Sequence, residues 1–142
     1  IPQIDVFDEG GYTKEEWKMV RETQKILHDD SIQITATTVR VPVFRSHSES
    51  INVELHKKLG VADARRLLEE APGIKVYDDP VQQEYPMPLL TTDDDQVWVG
   101  RIREDFTVPS GLNLWVVGDQ IRKGAALNSV QIAEELVKRS LV

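Results

Sequence analysis

ITATTVRVPVFRSHSESINVEL, residues 34–55, is the stretch whose reading decides the fold. Residues 37–43 form a β-branched run that reads as a strand, and residues 50–55 alternate polar and apolar side chains as a half-buried strand does. Pro42 cannot donate to a sheet ladder, so it lies at an edge or ends the first strand. Between the two runs, Arg45, Ser46, His47 and Ser48 make a polar turn. The expected geometry is a strand, a short exposed turn and a returning strand.

On the N-terminal side, residues 4–7 read as a short strand closed by a turn at Gly10 and Gly11. Thr13 followed by Glu16 is a capping box and predicts a helix start. Trp17, Val20, Gln24 and Leu27 share one face at helical spacing, while Glu15, Lys18, Glu22 and Lys25 form another stripe, and the helix should fade near residues 28–30. On the C-terminal side, residues 61–71 predict an amphipathic helix with Ala64, Leu67, Leu68 and Ala71 inward, ended by Pro72 and Gly73. Residues 74–77 read as a short strand. Residues 78–95, with Pro80, Pro86, Pro88 and three consecutive aspartates, read as an irregular excursion longer than most connections. Residues 96–103 alternate, placing Val97, Val99, Arg101 and Arg103 on one face and Trp98 and Ile102 on the other. Residues 112–118 are more continuously apolar, which predicts a more central strand. A periodic helix over residues 130–141 closes the chain. Helices separated by more than one strand predict an α+β (mixed α/β) fold, with a largely antiparallel mixed sheet and helices packed on one face. With 142 residues and no linker or internal repeat, a single domain over residues 1–142 is expected.

A formal net charge of −7 and the absence of any Lys/Arg cluster argue against a nucleic-acid surface. The chain contains no cysteine, which excludes a disulfide framework, a thiolate metal site and a cysteine nucleophile within it. No apolar run approaches the ~18–20 residues of a membrane helix. The opening residues show no basic segment followed by an apolar one, so a cytoplasmic location and no membrane partner are expected. A start at Ile1-Pro2, within an apparent structured element, is expected of a fragment.

His47 is the one histidine at a strand end. An imidazole is a side chain that suits a general acid/base, although a surface histidine bonded to water has the same pattern. Arg40 interrupts an apolar strand, so its guanidinium requires a partner, whether an internal carboxylate or a carboxylate ligand. Glu15 and Lys18, at i and i+3, make a simple solvated pair, worth about 0.2–0.5 kcal/mol. Asp93, Asp94 and Asp95 do not converge on one ion without further ligands, and no metal site is expected. Gly118 and Gly124 lie near a helix entry, but no strand-linked GxGxxG accompanies them, which leaves an ordinary turn.

Four segments together resemble the C-terminal part of the aspartate-β-semialdehyde dehydrogenase family: IPQIDVF at 1–7, YTKEEWKMVRETQKIL at 12–27, TTVRVPVFRSHSESINVEL at 37–55, and GLNLWVVGDQIRKGAALNSVQIAEEL at 111–136. The family is NADP-dependent and reductively dephosphorylates aspartyl phosphate to aspartate semialdehyde, a step toward lysine, methionine, threonine and isoleucine and toward diaminopimelate. The resemblance implies that Arg40 binds a substrate carboxylate and that His47, seven residues on, is the acid/base. It implies that Glu15 and Lys18 contact substrate amine and phosphate, and that Gln120 lies near the nicotinamide. Ser46 departs from the glycine that many relatives have there.

In that family a cysteine thiolate attacks the acyl phosphate and a glycine-rich Rossmann domain holds NADP. This sequence contains neither, so the resemblance implies a substrate-binding and dimerisation portion without its N-terminal cofactor-binding partner, inactive alone. A homodimer is implied, with the terminal helix, about residues 123–142, packed on the cofactor domain. Two alternatives stand beside it. One is another acyl-phosphate reductase such as N-acetyl-glutamyl-phosphate reductase, which is not expected to combine the E-x-x-K helix with Arg40 and His47. The other is a catalytically silent dimerisation module, free to lose Arg40, Lys18 and His47.

Overall fold

The capping box read from Thr13 and Glu16 forms, and it starts helix α1, Lys14–Leu27. Thr13 Oγ1 accepts from Glu16 N at 3.3 Å and Glu16 Oε2 accepts from Thr13 N at 2.8 Å. The computed structural model describes residues 1–142, which divide into two compact units, Ile1–Pro42 and Val43–Val142. In the first unit α1 ends at His28, whose left-handed backbone (φ 53°) stops the helix where the sequence predicts. Trp17, Val20 and Gln24 are half-buried, whereas Leu27 is exposed at the fraying end.

Residues 37–43 are not a strand. The chain runs extended from Ile32 to Arg40 with the two-residue alternation of a strand, since Ile32, Ile34, Ala36 and Thr38 are half-buried between exposed neighbours. Side chains hold it where a sheet ladder would. Gln24 Nε2 donates to Ile32 O at 2.9 Å, the Tyr12 hydroxyl lies 2.9 Å from Thr35 Oγ1, and Thr38 N donates to Glu16 Oε1 at 2.8 Å. The β-branched residues favour extension, but no strand of the unit pairs with them. Residues 4–7 likewise make only an isolated bridge, Phe7 to Thr13.

The second unit is a four-stranded sheet. Its strands are β1, His47–Glu54; β2, Ile74–Val76; β3, Val97–Asp105; and β4, Gly111–Gly118, in the order β1-β4-β3-β2. The β1/β4 and β3/β4 pairs are antiparallel and β2/β3 is parallel, which is the largely antiparallel mixed sheet expected. Strand β4 is central, as its apolar run predicts. Strand β1 begins at His47, three residues before the predicted start, so the polar residues 47–50 are themselves in the ladder. Helix α2, Val61–Glu70, follows β1, and helix α3, Pro88–Thr91, is one turn within the 78–95 excursion. A wide π-type turn, Arg122–Ala126, leads into helix α4, Leu127–Lys138. No helix is long and apolar enough to cross a membrane.

One face of the sheet packs on α2. Ala64 of α2 and Val99, Ile102 and Leu112 form the buried core, with Val53, Val61, Leu68 and Val116 against it. Leu67, expected inward, is half exposed, because the buried stripe narrows to Val61, Ala64 and Leu68. Val99 and Ile102, assigned by alternation to opposite faces, share this core. A β-bulge between Gly100 and Arg103 inserts a residue, and Arg101 takes a left-handed backbone (φ 52°) to make it. The freed donors of the bulge are met by one buried carboxylate. Asp78 Oδ1 accepts from Arg101 N at 2.6 Å and Oδ2 from Ile102 N at 3.2 Å, while Arg65 Nη2 of α2 pairs with Oδ2 at 2.6 Å.

The opposite face is covered by the excursion, not by a long helix. Trp115 Nε1 donates to Pro86 O at 2.9 Å, and Pro86 lies over Gly100. A Cβ at Gly100 would stand 2.5 Å from both Pro86 Cδ and Tyr77 O, so only glycine allows this approach. Gly100→Ala is therefore expected to destabilise the unit by about 1–3 kcal/mol, read as a lower urea midpoint.

Candidate functional site

His47 is the first residue of β1 and opposes Gly118, the last residue of β4; its side chain is exposed. The turn leading into it is built from buried polar contacts. Ser46 is 3% exposed and has a left-handed backbone (φ 73°), a conformation that costs a residue with a side chain about 1–2 kcal/mol. Two hydrogen bonds hold it there. Ser46 N donates to Gln120 Oε1 at 2.8 Å, and Thr91 Oγ1 donates to Ser46 Oγ at 2.9 Å. Because a backbone N–H can only donate, Gln120 must present its oxygen inward, which leaves its Nε2 as a donor on the other side.

Arg45 is fixed by two carboxylates. Its Nη1 lies 2.7 Å from Asp93 Oδ1 and its Nη2 lies 2.6 Å from Asp119 Oδ2. Asp119 is fully buried, and its oxygens also accept from Asp93 N at 2.8 Å and Ile121 N at 3.0 Å. Burial pushes this carboxyl up, but the two backbone donors and the Arg45 charge outweigh it, and the group sits below the usual carboxylate range. Asp119 is thus an ionised carboxylate saturated with donors.

The three consecutive aspartates diverge, as their adjacency predicts. Asp93 pairs with Arg45. Asp94 accepts from Gln96 N and Trp98 Nε1, at 2.9 and 3.0 Å, and Asp95 pairs with Arg122 Nε. No group of three or more acidic or histidine side chains is placed to hold a metal ion. A hollow of about 310 Å³ beside this cluster is lined by Arg45, Ile121, Arg122, Ala126, Leu127 and Val130. A larger one of about 440 Å³, on the Trp115 and Arg101 side of the sheet, includes none of His47, Arg40, Glu15, Lys18 and Gln120.

Glu15, Lys18 and Arg40 belong to the first unit. Lys18 Nζ lies 3.2 Å from Glu15 Oε2 on the exposed side of α1. The hydrogen bond that Lys18 donates to Glu15, then the charges of Glu15 and Glu22, hold the ammonium above the usual lysine value. Arg40 is exposed in the extended segment, with its backbone paired to Ile1 through Arg40 N and O, both at 2.9 Å. The expectation that it interrupts an apolar strand and needs a buried partner is therefore corrected, since there is no strand around it and its guanidinium stays in water. Among the expected residues the structure joins Glu15 to Lys18, and it places Gln120 on the residue preceding His47. Asp119, Thr91 and the clamping role of Arg45 were not legible as site features, because each partner is distant in sequence. The one available signal was an aspartate directly after the glycine that ends an apolar strand.

Residues 1–123 match the family described as semialdehyde dehydrogenase, dimerisation domain. The chain belongs to that family. It is 56% identical over 142 residues to the aspartate-semialdehyde dehydrogenase of Aquifex aeolicus, covering 100% of this chain and 42% of that protein. Among solved structures, aspartate semialdehyde dehydrogenase II from Vibrio cholerae complexed with ASA aligns with a TM-score of 0.92 and 48% identity, over 97% of this chain and 40% of the other. The Candida albicans aspartate semialdehyde dehydrogenase with NADP aligns with a TM-score of 0.75 and 27% identity, over 99% and 46%. This dimerisation-domain chain thus spans about two-fifths of the length of the curated relatives it matches. Its α+β architecture is the one these dehydrogenases share with it.

The turn before His47 carries a strained serine. Ser46→Gly removes the left-handed cost but loses a hydrogen bond worth about 0.5–1.5 kcal/mol, a near balance. Ser46→Ala keeps the strain and loses the bond, so thermal melts should rank Ala below both Gly and the parent serine.

Proposed function

We propose that this chain is the substrate-binding and dimerisation portion of an NADP-dependent, cytoplasmic aspartate-semialdehyde dehydrogenase of amino-acid biosynthesis. In this reading the enzyme reductively dephosphorylates aspartyl phosphate to aspartate semialdehyde. The observation that carries it is the likeness to the named dehydrogenases along the whole chain. Arg40 offers a planar, water-exposed fork that matches a carboxylate in a bidentate way. Lys18 presents a point charge suited to phosphate, and Glu15 beside it accepts from a substrate ammonium. His47, on the turn fixed by Ser46 and Arg45, exchanges a proton with the thiol nucleophile and with the leaving group. That thiol and the cofactor fold come from an N-terminal domain of the same protein.

Gln120 fits a nicotinamide carboxamide on chemical grounds. Its oxygen is taken by Ser46 N, so its Nε2 remains to donate to the carboxamide oxygen. NADPH would supply the hydride when bound; this chain's part is to orient substrate and hold the proton at His47. Val130, Ile132 and Val137 of α4 are exposed apolar side chains, which suits the packing of this helix on the cofactor domain. The partner across the dimer is a second copy of the same protein.

In the complete enzyme, His47→Asn should lower kcat by about 10²–10⁴-fold. Arg40→Leu should chiefly raise the KM for aspartyl phosphate, by about ten- to a hundredfold for a lost charged hydrogen-bond pair. Steady-state kinetics on both variants check the assignment, and parent-like values in both would refute it. The 142-residue chain alone should give no NADPH oxidation with aspartyl phosphate, and turnover by it would show that the nucleophile is not supplied from outside.

A further inference from the structure

Gly118 and the two residues that follow β4 engage His47 and the two residues that precede β1. Gly118 opposes His47 in the ladder, Gln120 Oε1 takes Ser46 N, and Asp119 Oδ2 takes Arg45 Nη2. Main-chain pairing stops at His47, and two side chains continue it for the two residues before.

We propose that Asp119 is a positioning residue for His47, acting through the Arg45 guanidinium that anchors the turn into β1. The inference rests on the reading of His47 as the acid/base. Asp119 does more than cap its own turn. Its own turn supplies only Ile121 N, whereas Asp93 N and Arg45 Nη2 come from 26 and 74 positions earlier in the chain. Of the two carboxylates on Arg45, Asp93 is 68% exposed and contributes little in water, while the Asp119 side chain is fully withdrawn from it. The guanidinium is therefore set by Asp119. The His47 side chain is exposed, so its own packing does not aim it; the ladder to Gly118 and the braced turn do. Ser46, held left-handed between them, shows that the turn follows these bonds against its backbone preference.

The test compares Asp119→Asn, Arg45→Met and His47→Asn in the complete dehydrogenase. An asparagine amide has one oxygen for the two acceptor positions, so its Nδ2 opposes either Arg45 and Asp93 N or Ile121 N, and the charge that holds the guanidinium is lost in both orientations. Asp119→Asn should lower kcat by about ten- to a hundredfold with substrate KM values within twofold, as expected of a displaced proton-transfer group. Arg45→Met should do the same, and it carries the test if Asp119→Asn fails to fold. The double variant should be no slower than the slower single one, because both act on one link. Parent-like kcat in the folded variants, or a KM that rises in step with the fall in kcat, overturns the inference. If His47→Asn itself turns over normally, the reading of His47 fails; if His47→Asn is impaired while both other variants keep their kcat, only the role of Asp119 fails.

Discussion

A carboxylate withdrawn from water must be surrounded by donors, and the second unit is organised around two that meet this requirement. Asp78 gathers Arg101 N, Ile102 N and the Arg65 guanidinium, joining α2 to the bulge of β3. Asp119 gathers Asp93 N, Ile121 N and the Arg45 guanidinium, joining the end of β4, the end of the excursion and the turn before β1. An uncompensated buried charge costs several kcal/mol, so each partner set is obligatory once the carboxylate is buried. The bulge sends Val99 and Ile102 into the same core, and the excursion lies against the other face where Gly100 admits Pro86. Both features serve the placement of β4, the central strand on which His47 is registered.

The first unit solves a different problem with the same means. A β-branched segment without a strand partner leaves its backbone groups to be satisfied by other donors and acceptors. Tyr12, Glu16 and Gln24 of the α1 region supply contacts, and Glu16 serves the capping box with one oxygen and Thr38 N with the other. Those two backbone donors hold its carboxyl below the usual range. The extended segment delivers Arg40 to solvent, where a guanidinium can meet a carboxylate without a desolvation cost paid in advance.

Local chemistry made much of this legible. The Thr13 and Glu16 capping box, the apolar run of β4 and the turn at Pro72 and Gly73 are signals carried by neighbours within a few residues. What escaped the sequence depends on residues far apart in the chain. The period-two reading of residues 96–103 failed at Arg101, because the bulge is specified by Asp78, a residue of the excursion. Residues 37–43 have strand propensity, but pairing is a tertiary fact and no strand lies beside them. Of the candidate site, His47, Arg40, Glu15 and Lys18 stood out by residue type and spacing but took their expected roles, with Gln120, from a family likeness, while Asp119, Arg45 and Thr91 act through contacts 26–74 residues away.

The register of His47 on Gly118 also bears on motion. Strand β1 is an edge strand, and the head of an edge strand ordinarily frays with little free energy. Here the two residues before it are bonded to side chains emerging from the central strand, so opening the turn means extracting Ser46 from its buried pocket and exposing Asp119 to an unpartnered state. The histidine therefore sits at a periphery in topology and close to the core in kinetics. The Ser46 amide, donated to Gln120 Oε1, should therefore exchange with solvent slowly, while the His47 side chain remains exposed to whatever enters from outside.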